Sequence, residues 1–324
     1  MFLKNLFLFN SKRSFFILTI CLFGCLHRSA FAGGPGSTGA VELKIPVGPR
    51  AVAMGQAFVA VADDASAIYW NPAGLNQAGG THLMLEYNVF IETVRYNGGD
   101  LVMKLDKNFA LGLGAKLLST GSENEVNAAG VTTGNTFSES YMDIDVAGAY
   151  RLSYYFDIGL TAKYISKNLA GTTASTIAAD LGLLYRTPIP HLTAGLNLQN
   201  LGPGLKFATT PDPLPLNLKI GVAYKMFEDN FTVAYDMNFP NDNAISANMG
   251  GEYWYKDTLV GRFGYQFQGS IDQNQVGIGG KAGLYLGAGV KVAFSRNFYL
   301  GLDYAWTDQG FLGSNHHFAM DFYF

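Results

Sequence analysis

The sequence predicts an all-β chain: a 14-stranded antiparallel transmembrane β-barrel of the outer-membrane type, with a short helical N-terminal plug in its lumen. Three observations lead there. From Thr81 to Phe324 the chain repeats short segments of alternating polarity, as expected where every second side chain faces lipid. The connections between these segments alternate between short and long. One stretch, Gly48 to Leu75, resembles nothing else in the chain, being rich in small residues and compatible with helix.

The chain opens with the layout of a secretory signal. Lys4, Lys12 and Arg13 precede an apolar run from Phe15 to Leu26, and Ala30-Phe31-Ala32 is an A-x-A cleavage site. The expected division is therefore a cleaved signal over 1–32, an N-terminal segment carrying the plug over 33–80, and the barrel over 81–324. A cut before Cys25, which would leave a lipoprotein, is the alternative. Both cysteines, Cys21 and Cys25, lie in the signal, so the expected mature chain has no thiol chemistry. Of the 22 basic residues, four lie in the signal, leaving 18 against 25 acidic ones and a net charge of about −7. That balance argues against a nucleic-acid partner.

In the atypical stretch, the apolar run Ala51 to Ala62 is broken by Gly55 and Gln56. It is far shorter than the roughly 20 residues needed to span a bilayer, so protein must cover it. Asp63 and Asp64 stand where a carboxylate accepts from the free N–H groups of a first helical turn. Pairing with Arg50 is a second use for them, and a metal or ligand site a third. Asn71-Pro72 should end that turn, and Gly74 should supply a permissive bend.

The wall segments follow in order: Thr81 to Phe90, Glu92 to Leu105, Phe109 to Ser119, Ser138 to Tyr150, Asp157 to Asn168, Thr176 to Arg186, His191 to Asn200, Leu214 to Met226, Phe231 to Phe239, Ala244 to Tyr255, Thr258 to Gln268, Gly283 to Phe294, Phe298 to Thr307 and Asn315 to Phe324. Leu216 to Met226 shows the pattern, with Leu218, Ile220, Val222 and Tyr224 on one face and Asn217, Lys219, Gly221 and Ala223 on the other. A two-sheet sandwich also alternates. The connections weigh against it: tight turns at Asp106 to Asn108, Glu228 to Asn230, Lys256 to Asp257 and Ser295 to Asn297 oppose long polar links at Gly121 to Phe137, Leu169 to Ser175, Leu201 to Pro213 and Gly269 to Ala282. Short turns on one rim and long loops on the other is the outer-membrane arrangement, with the short rim periplasmic.

An even strand count puts both ends of the wall on the short-turn rim, so the plug should enter from there. The predicted lumen face carries Asp143, Asp145, Lys163, Asp180, Arg186, Lys219, Asp236, Glu252, Arg262, Lys291 and Asp303. Mixed signs suit a plugged interior better than an ion filter. The last strand sets His316, Phe318, Met320, Phe322 and Phe324 on its outer face, a terminal pattern that reads as a signal for the barrel-assembly machinery.

Gly48-Pro49-Arg50-Ala51, Met54-Gly55-Gln56-Ala57, Ala62-Asp63-Asp64-Ala65 and Asn71-Pro72-Ala73-Gly74-Leu75, ahead of a barrel ending in phenylalanine, resemble the PorV/PorQ family. That family is similar in turn to FadL-type transporters, whose N-terminal hatch also carries an acidic pair and an Asn-Pro-Ala. The resemblance is specific over Gly48 to Leu75 and architectural elsewhere. It implies a non-enzymatic outer-membrane protein that docks or shuttles exported proteins in type IX-like secretion, with secretion subunits or cargo as partners. The alternative it implies is FadL-like transport of hydrophobic small molecules. No cofactor is expected. The histidine pair His316-His317 would point to opposite faces of a strand, and neither H-x-x-x-H nor Gly-x-Ser-x-Gly occurs.

Overall fold

The computed structural model describes residues 34, 36–90, 94–268, 283–310 and 313–324. The expected signal, its cysteines and the Gly269 to Ala282 link lie outside the described residues. Fourteen strands close a barrel: β1 (Thr81–Val89), β2 (Arg95–Lys104), β3 (Phe109–Ser119), β6 (Glu139–Arg151), β7 (Phe156–Leu169), β8 (Thr172–Arg186), β9 (Leu192–Leu201), β10 (Asn217–Met226), β11 (Phe231–Pro240), β12 (Ser246–Tyr255), β13 (Leu259–Gln268), β14 (Leu284–Ser295), β15 (Phe298–Asp308) and β16 (Ser314–Tyr323). Every pairing is antiparallel, and β16 returns to β1 with Leu83 opposite Phe322 and Tyr87 opposite Phe318. Thr81 and Phe324 exchange backbone hydrogen bonds of 3.2 and 2.9 Å at the seam. Closure leaves no strand edge to expose unpaired backbone groups to lipid.

The two faces separate as the alternation requires. Ile220, Val222 and Tyr224 point outward, as do Leu160, Ile177, Phe263, Leu302, Phe318 and Met320. Asp143, Asp145, Lys163, Asp180, Lys219, Asp236, Glu252 and Arg262 point inward, each 5% exposed or less. Aromatic side chains project at the short-turn rim, among them Tyr154, Tyr255, Phe227 and Phe294, where a membrane interface favours amphipathic rings.

Two links differ from expectation. Leu169 to Ser175 is not a long loop: β7 runs to Leu169, β8 starts at Thr172, and Ala170-Gly171 makes a two-residue turn. Both turn residues have positive φ, 49° and 84°, the backbone that matches the twist of a hairpin, and the β-branched threonines after them prolong the strand. Gly121 to Phe137 is not wholly irregular, for β4 (Glu123–Val126) and β5 (Thr132–Phe137) pair as an exposed hairpin beyond the wall.

Residues 36–80 occupy the lumen. Their helical content is broken into α1 (Pro49–Ala53), α2 (Ala67–Trp70) and 3-10 turns at Val41–Lys44 and Pro72–Gln77. α1 stops where Gly55 and Gln56 take φ of 64° and 66°. The segment joins β1 at the short-turn rim, as expected. Its other end, around Thr38, lies at the opposite rim, against the β9–β10 and β11–β12 links, so the chain threads the whole lumen.

Wall and insert approach backbone to backbone. A Cβ on Gly250 would strike the Met54 backbone, one on Gly264 would strike Gly55, and one on Gly159 would strike Pro72 and Ala73. Replacing Gly264 by leucine should therefore lower the stability of the inserted segment by roughly 1–3 kcal/mol, the usual effect of overpacking, while the barrel still inserts. Heat-modifiability on gels and protease sensitivity of residues 36–80 measure both effects.

Candidate functional site

The site is the interface between the lumen wall and the threaded chain, taken here from the long-loop rim downward. Around Thr38 to Pro46 the chain forms a strap. Gly39 donates to the Pro213 carbonyl at 2.9 Å, Thr38 and Lys44 reach the Asp242 carboxylate at 2.5 and 2.7 Å, and Lys167 pairs with Glu42 at 2.6 Å. Burial, with Glu139 close by, pushes the Glu42 carboxyl up against the pull of Lys167. Ala40 and Leu43 pack with Tyr96, Leu118, Tyr141, Ile165, Leu205 and Leu214, an apolar cluster inside the mouth. Beside it a recess of about 490 Å³ has an apolar side of Val41, Ile45, Pro46, Phe90, Val94 and Leu118 and a polar side that includes Glu42, Lys44, Glu139, Asn315 and His317.

At mid-depth the chain is irregular, and the wall supplies its missing partners. The Asp236 carboxylate accepts from the Phe58 and Val59 amides at 2.7 and 2.9 Å. Asn197 and Gln199 donate to the Trp70 and Tyr69 carbonyls at 2.8 and 2.6 Å, Thr161 to Ile68 at 3.0 Å and Thr193 to Ala60 at 3.0 Å. Asn71 is a junction: its amide donates to the carbonyls of Val59 at 2.8 Å and Leu183 at 3.1 Å, and its oxygen accepts from the Ala73 amide at 3.2 Å. Its extended backbone, imposed by Pro72, ends α2 as expected. Gly74 behaves differently from expectation. It has no positive φ, and its small size is required because a Cβ would strike Ala62.

Near the short-turn rim the ion pairs converge on Arg50. Its guanidinium meets Asp63 at 2.7 Å and Asp64 at 3.1 Å, and it grips both oxygens of Glu252 at 2.8 and 2.9 Å. Arg262 binds the same Glu252 at 2.7 Å and also pairs with Asp303. Burial alone would raise the Asp63 carboxyl, but Arg50, with Lys225 behind it, holds it below the usual 3.8. The same carboxylates outweigh desolvation of Arg50 and push its guanidinium well above its ordinary value. Asp64 also accepts from the Ser66 amide and hydroxyl at 2.9 and 2.6 Å, which shapes the bend ahead of α2; it does not cap the helix as expected, because Ser66 holds the cap position and α2 has no side-chain cap.

The remaining residues of the stretch are fastened too. The Gly48 amide donates to Glu86 at 2.8 Å, and the Ala65 amide to His82 Nδ1 at 3.0 Å. With that nitrogen accepting, His82 carries its proton on Nε2 and donates it to Asp321 at 2.9 Å. Met54, Ala57, Ala73 and Leu75 are fully buried. Residue patterns did not single out His82 and Asp321 as members of this site, and Asp236 and Glu252 entered only as lumen charges; the signal in each case was a polar side chain at an inward position of a strand. Below the network a recess of about 630 Å³ opens among Asp63, His82, Trp254, Lys291, Arg296 and Tyr323.

Chemically the arrangement is a fastening. Among the described residues no group of three or more His, Cys, Asp or Glu could hold a metal ion, and Asp63 and Asp64 are engaged by Arg50, Lys225 and Ser66. The adjacent histidines part as expected, His317 into the wall interior and His316 toward the Tyr304 hydroxyl at 2.8 Å. Phe318 and Met320 lie on the outer face, and Phe324 is exposed at the short-turn rim beside Phe298, which also stacks on Phe322.

The fold has solved counterparts. The toluene transporter TodX of Pseudomonas putida superposes with a TM-score of 0.60 at 14% identity, covering 91% of this chain and 98% of its own. The toluene transporter TbuX of Ralstonia pickettii gives 0.59 at 18% identity, with 85% and 97% covered, and a FadL homologue of Pseudomonas aeruginosa gives 0.58 at 10%, with 86% and 98% covered. No protein-family model and no curated protein matches the chain. The chain thus has the class of fold found in FadL-type outer-membrane transporters, a closed 14-strand barrel of the outer membrane. Two of these neighbours are toluene transporters and one is a FadL homologue, and nothing in the comparison points to PorV/PorQ in particular.

Arg50→Met should destabilise the inserted segment by about 3–5 kcal/mol, the range for stranding buried carboxylates, with the barrel still in the membrane; thermal unfolding of the purified protein reads this. The pH dependence has a definite sign. Because the folded value of Asp63 lies below 3.8, its stabilisation is present above about pH 4 and is lost as pH falls below that. Asp63→Asn should accordingly lower the melting temperature at pH 7, and the difference from the unaltered protein should shrink progressively as the pH falls below about 4.

Proposed function

We propose that the chain is a non-enzymatic outer-membrane conduit for small hydrophobic compounds, with residues 36–80 as its hatch. The observation that carries this reading is the apolar side of the recess at the loop-rim mouth, formed by Val41, Ile45, Pro46, Phe90, Val94 and Leu118, which leads onto a chain fastened by reversible hydrogen bonds and ion pairs. An apolar solute can rest there, and rearrangement of the strap opens the way past it. The likeness in fold to two toluene transporters supports the same reading. Docking of secreted proteins rests on the resemblance of Gly48 to Leu75 alone, and no feature of the described loops favours it.

Within this reading Gly48, Arg50, Asp63, Asp64 and Asn71 hold the hatch closed, and Met54, Gly55, Ala57, Ala65, Pro72, Ala73, Gly74 and Leu75 give it the small, apolar surface that fits the wall. Phe318, Met320, Phe322 and Phe324 serve as the sequence presented to the barrel-assembly machinery.

A deletion strain should take up toluene severalfold more slowly and secrete an unchanged set of proteins. Unchanged uptake with an altered secretome would reverse the ranking of the two readings. Asn71→Ala combined with Pro72→Ala should raise single-channel conductance in planar bilayers with insertion intact, and removal of Phe324 should lower the amount of assembled protein in the outer membrane.

A further inference from the structure

On the side of the strap away from that recess, the lumen holds a second cavity of about 140 Å³. It is small and polar, unlike a hydrocarbon site. Lys219 lines it, is 5% exposed, and forms no hydrogen bond or ion pair among the described residues. Its ammonium lies over the Trp70 ring, 4.3 Å from the centroid, and 5.5 Å from that of Tyr69. A buried ammonium with no carboxylate in contact is unusual, because desolvation is normally offset by a paired counter-ion.

The neighbouring carboxylates of Asp236 and Asp180 act on Lys219 across space, but neither touches it, and each has other partners. Asp236 holds two amides of the threaded chain, Asp180 pairs with Lys163 at 2.9 Å, and Asp242 pairs with Lys44 at 2.7 Å. Lys44 and Asp242 line the cavity as a contact pair, so Lys219 is the charged lining group that no described carboxylate touches. The same wall presents two free acceptors, Asn217 Oδ1 and Asn238 Oδ1. A ligand that satisfies all three brings one anionic group and hydroxyl donors.

We infer that this cavity binds a small hydrophilic hydroxy acid, its carboxylate on Lys219 Nζ and its hydroxyls on Asn217 and Asn238. The volume has room for about ten water-sized spheres, the scale of a sugar acid. The site goes beyond the conduit reading, because an apolar solute has no use for an ammonium, and it stands or falls separately from hydrocarbon uptake.

The test uses the full-length protein in detergent, with gluconate as probe and sorbitol as its neutral counterpart, followed by calorimetry and tryptophan emission. Saturable gluconate binding that shifts the emission, absent for sorbitol, is expected. Lys219→Met should weaken it at least tenfold, Lys219→Arg should retain most of it, and toluene uptake should be unchanged in both. Equal binding of gluconate and sorbitol, no saturable gluconate binding, or full binding by a correctly assembled Lys219→Met protein would overturn the assignment. Should that variant fail to assemble, sodium chloride titration of the unaltered protein decides: chloride should weaken gluconate binding progressively, and salt-independent binding refutes the ammonium contact.

Discussion

The structure depends on one constraint: inside a barrel at membrane depth, every backbone N–H and C=O needs a partner. The wall meets it by pairing strand to strand in a closed ring. The inserted chain cannot, because Gly55 and Gln56 with positive φ, and Asn71 before Pro72, cut it into pieces too short for helical self-sufficiency. Its unpaired groups are served from outside. Asp236 takes two amides, while Asn197, Gln199, Thr161 and Thr193 give to carbonyls. Part of the inward polar pattern of the wall is thus the missing half of the insert's hydrogen bonding, and another part, Lys116 with Asp145 and Lys163 with Asp180, pairs within the wall.

The same constraint explains the composition of both partners. Side chains can reach backbone only where the two chains approach closely, and large residues on either side would hold them apart. The wall yields at Gly159, Gly182, Gly250 and Gly264. The insert yields at its alanines, many of them fully buried. Charge follows the same logic: Glu252, desolvated in the wall, is tolerable because Arg50 and Arg262 both bind it, and Arg50 is tolerable because Asp63 and Asp64 share it. Removing any member leaves the others buried without compensation.

How much of this is legible in the sequence follows from the range of each interaction. Alternation along Leu216 to Met226, or along Asn315 to Phe324, is a local property with a period of two, so the wall could be read strand by strand. Tight turns such as Lys256-Asp257 are equally local. The Ala170-Gly171 turn was hidden by a run of threonines that reads as polar loop and builds strand, and the β4–β5 hairpin by residues with no buried face to impose a pattern. In the insert, the Arg50 and aspartate pairing and the stop at Asn71-Pro72 could be argued from neighbours in sequence. The bonds from Phe58 to Asp236 and from Ala65 to His82 could not, since they span 178 and 17 positions and depend on where the thread lies in the lumen. Nor does strand parity say that the thread begins at the far rim.

That direction of threading makes the two ends of the insert unequal. At the short-turn rim it continues covalently into β1 and is held by the Arg50 network, whose members are largely desolvated, so separating them carries the large penalty of stranded buried charge. At the long-loop rim it ends in a strap held by two separate ion pairs, Lys44 with Asp242 and Lys167 with Glu42; the first has its lysine 41% exposed, which weakens it. The apolar packing of Leu43 adds more, yet a nonpolar solute entering the neighbouring recess can replace that contact without leaving any polar group unpaired. Local opening follows the weakest set of contacts. With two separate pairs against the converging set around Arg50 and Glu252, the strap is the smaller fastening, and the solute that loosens it is the one that fits beside Leu118 and Val94.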